Sequence, residues 1–106
     1  MSEINWSEQD KNAAVDALHN AYEREVKILI DEVKQKAFNL TEIDEVWKLH
    51  DFLSARRHEI DGKYDYRDAA SVFVLATLVK QGWLSLEELQ VLGQDKLAKI
   101  SALTRL

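Results

Sequence analysis

The sequence predicts an all-α fold of four to five helices, with one long N-terminal helix and a buried third helix. Three observations point there. The 106 residues contain no proline and only three glycines, too little punctuation for the turns and bulges of a β fold. Apolar residues recur at gaps of three and four, the period of a helix face rather than a strand. N-cap signatures at Ser7, Thr41, Asp65 and Ser85 stand before the periodic runs.

The first helix opens at Ser7, with Asp10 closing a capping box, and nothing breaks it before about Phe38. Val15, Leu18, Tyr22, Val26, Leu29, Val33 and Ala37 make one stripe along it. A helix of about 30 residues is about 45 Å long. A compact chain of this length is about 26 Å across, from twice the expected radius of gyration. Part of the helix therefore packs outside its own domain, and a helical homodimer is expected. A short chain also buries only a thin core by itself, which a second copy relieves.

Asn39-Leu40 forms the first turn. Thr41-Glu42-Ile43-Asp44 is a second capping box and opens helix two, which runs to about Ile60 and ends near Gly62 as C-cap. Asp65, with Asp68 at its third position, caps a third helix that runs to Gln81 and stops at Gly82. Val72-Phe73-Val74-Leu75 has strand-like local propensity, but no second strand exists to pair with it. A helix apolar nearly all round is a buried central helix. Ser85-Leu86-Glu87-Glu88 starts a short helix to about Leu92, Gly93 breaks it, and Leu97, Ile100 and Leu103 mark a last helix. No repeat or linker interrupts the chain, so residues 1–106 read as one domain.

The composition excludes several function classes. A net charge of −5 is the wrong sign for a general nucleic-acid binder. With no cysteine there is no disulfide, thiolate nucleophile or cysteine metal site. Met1 to Gln9 carries acid and lacks the apolar core of a signal peptide. The longest apolar stretch, Ala69 to Val79, is too short to span a bilayer. An intracellular, soluble protein is expected.

Helix two is unusual. On a helical wheel Val46, Leu49, Leu53 and Ile60 make a core stripe, and Trp47 lies well to one side with Asp51, Ser54 and His58. Phe52 flanks the other side, while His50 and Arg57, seven apart, sit on the border. Aromatic residues and arginine beside directional polar groups mark an interaction surface. Trp47 and Phe52 equally fit a helix buried on several sides, and the pattern leaves both readings open.

Other chemistry is poorly supported. His50 and His58 turn about 80° apart on the wheel, and Asp51 with His58 makes two ligands on one face, short of a metal site. The Gly82 to Glu88 segment resembles the end of a calcium loop, but Ala76 to Gln81 lacks the aspartates it needs. No nucleophile elbow or phosphate loop occurs, so no catalytic residue, cofactor or metal is expected. The alternative of a different class is a nucleic-acid binder of helix-turn-helix type, with Arg56, Arg57, Lys63 and Arg67 as a basic patch. A third helix apolar all round cannot read a groove, and the patch better suits an acidic protein partner.

The run from Trp47-Lys48-Leu49-His50-Asp51-Phe52 through Arg56-Arg57-His58 to Gly62-Lys63-Tyr64-Asp65, followed by Arg67, resembles the central signature of the fluorescence recovery protein family. The Thr41-Glu42-Ile43-Asp44 lead-in, the Val72-Phe73-Val74 run and the ending from Lys96 to Leu106 agree. The resemblance implies an all-helical homodimer joined through its long helices. It implies a non-enzymatic regulator that binds the light-activated red form of the orange carotenoid protein, mainly through that protein's C-terminal domain. Return to the resting orange form is accelerated, the carotenoid protein leaves the phycobilisome, and energy quenching ends. The family's functional cluster falls on Trp47, His50, Asp51 and Arg57, its apolar contact on Phe73 and a basic position on Lys99. By the resemblance these serve partner binding or the dimer interface, while at ordinary positions such as Arg56 and Tyr66 the residue differs from the family's without bearing on the function. A cytoplasmic location is implied, at the thylakoid surface only through the partner, with no membrane insertion and no nucleic acid. A dimeric helical regulator with a different partner is the alternative.

Overall fold

The computed structural model describes residues 6–65 and 71–106. In order, these form α1 (Glu8–Phe38), α2 (Ile43–Lys63), α3 (Val72–Lys80), a single 3-10 turn at Glu87–Leu89, and α4 (Gln94–Leu103), with no strand among the described residues. The all-α expectation holds.

The first capping box forms as read. Ser7 Oγ accepts from the Asp10 N–H at 3.0 Å, and the Asp10 carboxylate accepts from the Ser7 N–H at 3.4 Å. That carboxylate also crosses to the far end of the chain, accepting from the Gly93 N–H at 3.0 Å and from Lys96 Nζ at 3.0 Å. The Lys96 hydrogen bond, seconded by Gly93, holds the Asp10 carboxyl below its ordinary range, and Asp10 in turn raises the ammonium. The start of α1 is thereby clasped to the start of α4.

The core lies at one end of the molecule. Ala14, Ala17, Leu18 and Ala21 of α1 pack with Ile60 and Tyr64 at the end of α2. Val72, Leu75, Ala76 and Leu78 of α3 complete it with Leu84, Leu89, Leu92 and Ile100. We call this end the head. No α1 residue after Glu25 is buried, nor any α2 residue before Ile60. Those two halves run antiparallel as an arm: Tyr22 meets Tyr64 edge-on at 5.3 Å on the head side of its base, and Lys36 sits 4.8 Å over the Phe52 ring further out. The protomer measures 56 × 26 × 25 Å with a radius of gyration of 16.9 Å, against about 13 Å for a compact chain of this length.

Several expected details are corrected. The buried face of α1 is Asp10, Ala14, Ala17, Leu18, Ala21 and Glu25, turned about 90° from the expected stripe. Only Leu18 is common to both. Alanines let α1 approach the head closely, and the larger Val15 and Tyr22 remain 40% and 38% exposed beside that contact. The N-cap of α2 is Glu42 rather than Thr41. Glu45 Oε1 accepts from the Glu42 N–H at 3.2 Å and from Thr41 Oγ at 2.8 Å, and those bonds, Thr41 first, lower its carboxyl. Gly62 lies inside the last turn, and Tyr64 is the C-cap.

Of the expected α2 core stripe only Ile60 is buried, with Val46 and Leu53 each 37% exposed. α3 begins at Val72 under a Ser71 cap, whose Oγ accepts from the Val74 N–H at 3.3 Å. The expected Asp65 cap relied on Asp68, which lies outside the described residues. α3 is not buried all round either, since Phe73 is 68% exposed. Gly82, at φ +86°, ends the helix as expected. The Ser85 box exists, with the Ser85 N–H on Glu88 Oε2 at 2.8 Å, but it caps only the 3-10 turn.

Arg24 ties α1 to that turn. Its guanidinium donates to the Trp83 carbonyl at 2.9 Å and grips both Glu88 oxygens, at 2.9 and 2.6 Å. The Arg24 hydrogen bond pulls the Glu88 carboxyl down to about 2. A carboxyl depressed on folding stabilises fully above its unfolded value, and that stability is lost as pH falls through the folded value. Asp10, Glu25, Glu45 and Glu88 are all shifted this way. Urea unfolding should therefore give constant stability from neutral pH down to about 5, then a fall between about 4.5 and about 2. Arg24→Ala should make that fall shallower; a fall of the same steepness would show the Glu88 pair does not contribute.

Candidate functional site

The inward side of α2 is set by Leu49, Phe52, Arg56, Ile60 and Lys63, all buried or half-buried. Trp47, nine positions before Arg56, points about 180° away from it. Trp47 is 59% exposed, so it is a surface residue, whereas Phe52 is half-buried under Lys36. His50 Nδ1 lies 3.3 Å from Asp51 Oδ1, and Arg57 Nε lies 3.7 Å from Asp61 Oδ2, all four side chains being largely exposed. From Trp47 to Arg57 is about 15 Å along the axis. These residues form a strip along one helix rather than a pocket.

Phe73 stands on α3 between two shallow cavities. One, of about 250 Å³, is lined by Gly62, Lys63, Phe73, Val74 and Thr77. The other, of about 200 Å³, is lined by Phe73, Ala76, Thr77, Lys80, Leu103 and Leu106. The first brings Phe73 to the C-terminal end of α2. Lys99 is exposed on α4 and lines neither cavity. The six expected residues thus lie on the surface in three pieces: the outer strip of α2, the Phe73 face beside its end, and Lys99.

Sequence reasoning missed the group beneath them. Glu25 is fully buried. Its Oε1 accepts from Lys63 Nζ at 2.7 Å and from the Tyr64 hydroxyl at 2.7 Å, and its Oε2 accepts from Arg56 Nη2 at 3.2 Å. Burial alone would raise this carboxyl, but the Lys63 and Tyr64 hydrogen bonds outweigh it and the net shift is downward. Burial, then Glu25, raises the Tyr64 phenol far above its ordinary value. Lys63 Nζ also donates to Gln81 Oε1 at 3.0 Å, at the end of α3.

The basic patch is corrected accordingly. The side chains of Arg56 and Lys63 are only 21% and 11% exposed and serve Glu25. Arg67 lies outside the described residues, and Arg57 alone of the described three points outward. Arg56 is not an ordinary position but one of the three donors to a buried charge. The signal for this was in the chain. Glu25 follows Ala14, Leu18 and Ala21 at steps of four and three, a carboxylate on the close-packing face. Arg56 and Lys63, seven apart, share the α2 face that meets it. Among the described residues no three His, Cys, Asp or Glu side chains converge as metal ligands.

Comparison with known proteins agrees along the chain. Residues 6–104 match the family described as the photoprotection regulator fluorescence recovery protein. A curated fluorescence recovery protein from Synechocystis sp. (strain ATCC 27184 / PCC 6803 / Kazusa) is 49% identical over 105 residues, covering 99% of this chain and 96% of that protein. Among solved structures, the fluorescence recovery protein of Fremyella diplosiphon matches with a TM-score of 0.88 at 52% identity. That of Synechocystis sp. PCC 6803 matches with a TM-score of 0.89 at 49% identity. Each comparison covers 96% of this chain and 100% of the other.

Proposed function

This chain belongs to the fluorescence recovery protein family of photoprotection regulators, and from that membership we propose that it binds the active red form of the orange carotenoid protein and speeds its return to the resting orange form. The main grip is on that protein's C-terminal domain. Reversion then releases the carotenoid protein from the phycobilisome and ends quenching. The observation that carries this reading is the outer face of α2. It holds Trp47, 59% exposed, with His50, Asp51 and Arg57, inside the segment matched to the family. A large exposed aromatic beside charged groups has the composition of an interaction centre.

The mechanism needs no covalent step. The partner's two domains separate in the active state and must close again. A scaffold that holds both the separated form and the closing intermediate, but grips the resting form weakly, lowers the barrier to closure. Trp47 and Phe73 supply apolar area, His50 and Lys99 border it, and Asp51 and Arg57 orient the surface or join two copies through charge-assisted hydrogen bonds. The functional unit is a homodimer. Val15 and Tyr22 on α1, and Val46 and Leu53 on α2, stay substantially exposed in the protomer, and a second copy laid along these two helices would cover such residues. The protein acts in the cytoplasm and reaches the thylakoid-bound antenna through its partner. Among the described residues no helix is long and apolar enough to cross a membrane.

Dark recovery of photoactivated orange carotenoid protein, followed by its red-to-orange absorbance change, tests the reading. Substoichiometric amounts of this protein should accelerate recovery, and Trp47→Ala or Arg57→Glu should reduce the acceleration by about tenfold or more, a loss of about 1.4 kcal/mol. A folded wild-type protein without effect would sink the assignment. Assembly is tested by sedimentation. Wild type should run as two copies, and Val26→Asp combined with Val33→Asp, which places charge on the α1 stripe, should run as one. An unchanged mass in that variant would exclude the stripe from the interface.

A further inference from the structure

Glu25 occupies the position where α1 leaves the head, since every buried α1 residue lies at or before it. Its donors are spread over the neighbouring element and its cap. Arg56 and Lys63 come from α2, and Tyr64 is the α2 C-cap. Lys63 continues to Gln81, the α3 C-cap. Glu59 approaches Arg56 at 3.5 Å and Lys63 at 3.7 Å, so the cluster balances two carboxylates against two cations.

The cluster also borders the two main pieces of the candidate surface. Arg56 precedes Arg57 in the chain, and Lys63 lines the cavity beside Phe73. Stability is a poor explanation for such an arrangement. A buried ion pair is commonly no more stabilising than well-packed apolar groups of the same volume. What it supplies instead is direction. Apolar contact is non-directional, and Ile60 and Tyr64 are the only buried residues among 43–64 through which α2 and its cap join the core. A carboxylate gripped by three donors permits one geometry.

We propose that Glu25 is a positioning residue: its cluster is the joint that locks the end of α2 onto both α1 and α3, so that the Arg57 strip and the Phe73 face engage one partner in fixed register. The joint follows from the geometry alone, while its consequence for recognition rests on the function proposed above.

The chain has no cysteine, so paired spin labels can be placed freely at Ser54→Cys on α2 and Ala98→Cys on α4, both exposed positions. The labelled full-length protein is diluted into excess unlabelled protein so that one intramolecular distance is read by electron–electron double resonance. Wild type should give a single narrow distribution. Glu25→Gln should broaden it by about twofold or more while helical content is kept, and reduce the acceleration of recovery by about tenfold. Lys63→Met, which leaves Arg56 and Tyr64 on the carboxylate, serves as a second variant if Glu25→Gln does not fold, and Lys63→Arg should restore both readouts. An unchanged width in the folded variants overturns the joint. A broadened width with undiminished acceleration overturns the positioning role. Wild-type protein that does not accelerate recovery refutes the functional reading, and the distance width still decides the joint.

Discussion

A carboxylate inside a protein must be met by donors or protonated, and the placement of Glu25 imposes that requirement on the rest of the chain. Arg56, Lys63 and Tyr64 meet it from α2 and its cap. Once they are drawn inward, the angular position of α2 is no longer free. The side opposite Arg56 is the one carrying Trp47, which therefore faces solvent. The inward demand of one charge and the outward display of an aromatic strip are two consequences of the same helix rotation.

α1 solves a different problem with the same economy of faces. Its alanines give close approach to the head, and its larger side chains fall on the adjacent face, where the protomer does not cover them. Small residues make tight intramolecular contact, and bulky ones are left to bury area elsewhere. Arg24 and Glu25 sit side by side at the changeover. Arg24 reaches the 3-10 turn through Glu88 and the Trp83 carbonyl, and Glu25 reaches α2. Adjacent residues on α1 thus fasten it to two different neighbours at the end of its own core.

Much of this was legible in the chain, for identifiable reasons. The Ser7–Asp10 box, the run to Phe38 and the stop at Gly82 are local signals, and local hydrogen bonding or φ decides them. The pattern left Trp47 open between surface and core, and its exposure decides it. What failed was non-local. Weighing hydrophobicity favoured Val15 and Tyr22 over Ala14 and Ala21, yet close packing selected the alanines. The Thr41 box slipped by one residue because Glu45 could serve both Thr41 and Glu42. Arg56 read as an ordinary surface position because its partner lies 31 residues away in sequence. The Ser85 box was real but stands before a single 3-10 turn, its Glu88 carboxylate shared between Ser85 and Arg24.

Under the proposed mechanism, a regulator that holds another protein in a closing geometry has no reacting group to optimise. Its performance depends on how accurately separated surface elements are held relative to one another. A flexible arm would bind through its individual contacts but would spend the binding energy on ordering itself. The buried ionic joint answers that constraint. Compared with apolar groups of the same volume it adds little stability, while on the proposal its donors limit rotation at the junction of α1, α2 and α3. On the proposed function the exposed strip of α2 carries the chemistry a partner recognises, and the concealed cluster beside its end sets whether that chemistry arrives in register.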